Sequence, residues 1–79
     1  DGVIARLAED HFYFTTTTSG ATAIYRELSR LNTIWQLDCG LVNLTGARAA
    51  INLAGPDSRT VLARLTDCNL AGTAFPYLG

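Results

Sequence analysis

His11 is the single imidazole in the chain, and it follows Glu9 and Asp10 at a polar break between two apolar runs. A histidine beside carboxylates at such a break reads as a solvated turn residue rather than a general base. Ser19 and Ser58 are the serines nearest to a nucleophile's setting. Each stands before residues with helical spacing, where capping of free backbone N–H groups explains it, and neither lies in a GxSxG elbow. Gly55-Pro56-Asp57-Ser58 opens a helix whose positive end attracts anions, but it lacks the glycine pattern and the lysine of a nucleotide-binding loop. Cys39 and Cys68 stand too far apart for a CxxC motif and have one histidine to join them, which argues against a structural metal. Two thiols in a chain that is not cysteine-dense read as free, buried or half-buried groups of a cytoplasmic protein. Asp1, on composition and periodicity alone, is a solvated chain end.

These groups need a scaffold, and composition bounds it. The 79 residues are 48% hydrophobic and 16% charged with a net charge of −1, which describes one small folded domain or a piece of a larger one. A single core of this size supplies only about 3–5 kcal/mol, so stability is expected to be marginal without a partner, a metal or a disulfide. All six basic residues are arginines scattered among seven acids. No basic stripe forms, which excludes the electrostatic footprint of a nucleic-acid binder. No apolar run approaches the roughly 18–20 residues that cross a bilayer, so no membrane partner is expected.

Val3, Ala5 and Leu7 alternate with Ile4, Arg6 and Ala8, and HFYFTTTT is aromatic and β-branched, so strands are expected near 3–8 and 11–17 around a Glu9-Asp10 turn. Four consecutive threonine hydroxyls cannot all face a dry core, so one face of this strand end must meet solvent, a ligand or more protein. Ser19 is placed to cap a helix over 20–31, extending toward Leu37, whose apolar stripe is Ala21, Ile24, Tyr25, Leu28 and Leu31. Trp35 lies just past that stripe and is expected as a lid over helix and sheet. LVNLT and AAINLAG around Gly46 suggest a second hairpin, 41–45 with 48–54. Pro56 then starts a helix over 56–65 that buries Val61, Leu62 and Leu65. Gly72 and Pro76 make the tail an extended connector. The expected fold class is α+β, ordered ββαββα: a four-stranded antiparallel-rich sheet with two helices on one face.

Three stretches carry a family resemblance: DGVIARLAEDHFYFTTTTSGA, the LxGPxSRxVL-like run from Leu53 to Leu62, and the closing AFPY. Together they resemble the folate-binding domain of the glycine-cleavage T-protein (aminomethyltransferase) family, most closely its branch within heterotetrameric sarcosine oxidases. The resemblance covers essentially all 79 residues, and because family members are several times longer, it implies an internal fragment. It also implies a catalytic carboxylate at Asp1, matching the second of the family's aspartate pair, which lies near the folate nitrogens. Where T-proteins place a folate-contacting asparagine sixteen residues later, this chain has Thr17, with one short hydroxyl in place of an amide. The implied cofactor is tetrahydrofolate, bound with Asp1 and Thr17, with flavin and NAD sites elsewhere in the parent. The implied partners are the rest of the parent chain and other oxidase subunits, and self-association of the exposed apolar residues is a further expectation. The same resemblance also fits a homologue that keeps the fold as a non-catalytic binding or regulatory module.

Overall fold

A computed structural model describes all of residues 1–79 and resolves two compact units, Asp1–Ala49 and Ala50–Gly79. The architecture is mixed α+β. In the first unit β1 (Gly2–Ala8) pairs antiparallel with β2 (His11–Thr16), a 3-10 turn spans Thr18–Gly20, and α1 runs Ala21–Ile34. The second unit holds α2 (Ser58–Ala63).

The hairpin forms where alternation and turn chemistry agree. Glu9 and Asp10 make a two-residue connection, and Ile4 faces Phe14 while Arg6 faces Phe12 in the register. Paired residues of an antiparallel ladder share a face, so Ile4, Arg6, Phe12 and Phe14 lie on one side. The Arg6 guanidinium stands 5.9 Å from the Phe12 ring centroid, and it clamps the turn by donating to the carbonyls of Ala8 (3.2 Å) and Glu9 (3.0 Å). The register shifts between Arg6 and Ala8, which leaves Leu7 as a bulge and sets His11 opposite Ala8. His11 therefore opens β2 rather than lying in the turn.

Helix α1 starts without the expected Ser19 cap. Ser19 lies inside the 3-10 turn, and the cap residue, Gly20, makes no side-chain bond. Backbone carbonyls do the work instead: Thr17 accepts from the Gly20 N–H at 3.0 Å, and Thr18 accepts from that of Ala21. On the exposed side, Arg30 bonds Glu27 through Nε at 2.9 Å and Nη2 at 2.5 Å. This hydrogen bonding lowers the pKa of the Glu27 carboxyl from its ordinary value.

The end of α1 is a Schellman motif. Leu37 N–H reaches back to the Asn32 carbonyl at 3.0 Å, and Gln36 N–H to that of Thr33 at 3.3 Å. Gln36 occupies the left-handed position, with φ 51°, where glycine is the usual residue. Gln36→Gly is therefore expected to stabilise the chain by up to about 1 kcal/mol. A urea-unfolding midpoint that fails to rise would contradict this.

The expected second hairpin does not form. Residues 41–54 contain one turn, at 45–47, and no strand, so the sheet has two strands rather than four. The Gly46 turn is present, closed by Ala47 N–H on the Leu44 carbonyl at 2.8 Å. Asn43 draws the preceding segment into it, since its Oδ1 accepts from the Thr45 N–H (3.0 Å) and hydroxyl (2.6 Å). Ile51 is left 90% exposed. Alternation of this kind needs an apolar surface to bury against, and an isolated two-stranded pair is marginal without one.

Other expectations of burial fail for the same reason. Trp35 is 62% exposed rather than buried, and Cys39 and Cys68 are both free and exposed. Helix α2 is shorter than the expected 56–65, and Val61 and Leu65 are exposed while Leu62 is half-buried. Ser58 begins α2 with no side-chain capping bond at Asp57 before it. The tail is not extended: turns at 72–74 and 77–78 fold it, with Ala74 and Phe75 N–H groups on the Ala71 carbonyl. Leu70, 8% exposed, is the buried apolar centre of this unit. No helix is long and apolar enough to cross a membrane.

Candidate functional site

The open end of the hairpin brings the two expected site residues together. Gly2 pairs with Thr16, so Asp1 and Thr17 stand one step beyond the last rung. They line a shared hollow of about 420 Å³ with Gly2, Val3, Thr15 and Thr16. The strand pairing, not proximity in sequence, makes this arrangement.

The three threonines of the hollow play different parts. Thr15 Oγ1 accepts the Val3 backbone N–H at 3.2 Å, so its hydroxyl ties the strands together. Thr16 donates to the Thr17 carbonyl at 3.0 Å. Thr17 has φ −59° and ψ 142°, and its hydroxyl makes no hydrogen bond within the chain. An unpaired hydroxyl can both donate and accept, and a carboxylate at Asp1 can accept protons or hydrogen bonds and stabilise positive charge.

Gly2 is a site residue that periodicity does not single out. A Cβ at this position would collide with the backbone carbonyl oxygen of Thr15, nearer than real Cβ contacts come. The available signal is a glycine inside an alternating strand, which marks close backbone approach.

The remaining candidates do not line this hollow. His11 lies at the opposite end of β2. Ser19 belongs to the 3-10 turn, and Ser58 lines a separate hollow of the second unit with Gly55, Pro56, Arg59, Thr60 and Ala63. Gly55 takes φ 121° there, a conformation that favours glycine. Cys39 Sγ contacts Asn32 Oδ1 at 3.1 Å, while the Asn32 amide donates to the Cys39 carbonyl at 3.0 Å, so this cysteine fastens the chain after α1. No three His, Cys, Asp or Glu side chains gather as a metal site would require.

A family match covers residues 1–79. The chain belongs to the GCVT N-terminal domain family. That family works in folate-dependent one-carbon transfer and in general binds tetrahydrofolate. Among curated proteins the chain is similar to the sarcosine oxidase alpha subunits of Rhizobium meliloti (strain 1021), 36% identical over 80 residues, and of Corynebacterium sp. (strain P-1), 40% identical over 81. The alpha subunit of Corynebacterium sp. (strain U-96) is 38% identical over 81 residues. Each alignment takes in 99% of this chain and 8% of the relative, so the chain spans about a twelfth of those subunits. No solved structure matches the chain.

Proposed function

We propose that this chain is one wall of a tetrahydrofolate site in a sarcosine-oxidase-type subunit, where a one-carbon unit from an N-methyl amine passes to the reduced folate. The observation that carries this reading is that Asp1 and Thr17 share the hollow at the hairpin mouth, in a chain of the folate-handling family. The donor set suits the cofactor. A carboxylate matches a nitrogen-bearing edge that gains positive charge, and a free hydroxyl matches its polar groups.

Bound tetrahydrofolate supplies the nucleophilic nitrogens that take up the one-carbon unit. Asp1 holds the adjacent positive charge and accepts the proton lost when nitrogen forms its new bond. Thr17 orients the ring system with one hydrogen bond. Oxidation of the amine belongs to a flavin site elsewhere in the subunit. The exposed apolar residues of the hairpin, Ile4 at 63% among them, are covered there by the rest of the subunit.

Calorimetric titration of tetrahydrofolate tests the reading. The full-length subunit is expected to bind saturably, and the 79-residue chain at least about a hundredfold more weakly, because a drug-sized ligand is normally ~70–90% enclosed. Absence of binding by the full-length subunit, or equally tight binding by the short chain, would reject it.

A further inference from the structure

We infer that Gly20 is a positioning residue: its missing side chain is the space in which the Thr17 hydroxyl stands. A Cβ built at Gly20 falls 2.8 Å from Thr17 Oγ1, closer than real Cβ contacts come. The backbone gives no other reason for glycine here. Gly20 has φ −91° and ψ −12°, right-handed values open to any residue. Apart from its chain neighbours and the backbone of its own helix, no other heavy atom lies within 4 Å of that Cβ position.

Thr17 is also the place where such control has an effect. The Thr15 and Thr16 hydroxyls are committed to the backbone of Val3 and Thr17, and among the threonines lining the hollow Thr17 alone keeps a hydroxyl without a partner in the chain. Its side chain has one free torsion. Threonine occupies few rotamers, so a methyl group at position 20 swings the hydroxyl into another well rather than displacing it slightly. Meanwhile the bond from Gly20 N–H to the Thr17 carbonyl, at 3.0 Å, fixes how the two residues meet. The helix start thereby sets the aim of a group just past the end of the preceding strand. What that aim serves rests on the folate reading of the hollow.

The test is a double-mutant cycle in the full-length subunit, read by tetrahydrofolate affinity and by a crystal structure of Gly20→Ala. Gly20→Ala and Thr17→Ala are each expected to weaken binding about tenfold, and the double variant no more than either, because both remove one hydrogen bond. Additive losses, or wild-type affinity in Gly20→Ala beside a weakened Thr17→Ala, would overturn the inference. Where Thr17→Ala binds normally, Thr17's folate role fails and the crystal structure alone decides. A rotated Thr17 hydroxyl in Gly20→Ala supports positioning, and an unmoved one rejects it.

Discussion

Asp1→Asn in a full-length subunit is expected to slow one-carbon transfer about a hundredfold or more while leaving amine oxidation within about twofold of wild type. Asparagine keeps the size of the side chain and its hydrogen-bonding carbonyl, so the strand end is undisturbed. It loses the negative charge and the capacity to take a proton, and the proposed transfer step calls on both only as nitrogen forms its new bond. The effect therefore falls on the transfer rate more than on folate affinity. Parallel assays separate the steps: substrate-dependent flavin reduction reports oxidation, and the folate-bound one-carbon product reports transfer. Unchanged transfer would remove Asp1 from the chemistry, and equal loss of both steps would assign the damage to folding.

Gly2→Val should act on the same site by a different route. Its Cβ meets a backbone carbonyl, that of Thr15, which cannot rotate aside as a side chain does. The Gly2–Thr16 and Val3–Thr15 rungs must open, with a cost of about 1–3 kcal/mol typical of overpacking. Asp1 and Thr17 then separate, and transfer is expected to fall at least tenfold along with folate affinity, whereas Asp1→Asn spares affinity. Hydrogen exchange at Val3 should accelerate in step. A protected Val3 amide in an impaired variant would show that the strands had stayed paired and that Gly2 acts in some other way.

Much of the first unit is legible in the sequence. The strands expected at 3–8 and 11–17 occupy Gly2–Ala8 and His11–Thr16, and the helix expected at 20–31 runs Ala21–Ile34. Local rules suffice here, because a two-residue polar turn and an apolar stripe act between residues close in sequence. The second hairpin was not legible, since LVNLT alternates like a strand while Asn43 finds a nearer partner in Thr45. The burial expected of Trp35, Val61 and Leu65 is also absent. A pattern announces that a face is apolar, not that these 79 residues contain what covers it. At the site, the resemblance singled out Asp1 and Thr17, and the pairing register brings them together. Gly2 and Gly20 are not legible in the sequence, because a glycine's role appears only when the atom it lacks is placed against its neighbours.

The two-residue connection between β1 and β2 has a bearing on synthesis. A hairpin this local closes in about 1–10 μs, whereas a ribosome adds only about 5–20 residues per second. Asp1 can therefore meet Thr17 within an instant of Thr17 leaving the exit tunnel, before the residues that follow it have emerged. The carboxylate and the hydroxyl come together ahead of everything that follows them in the chain.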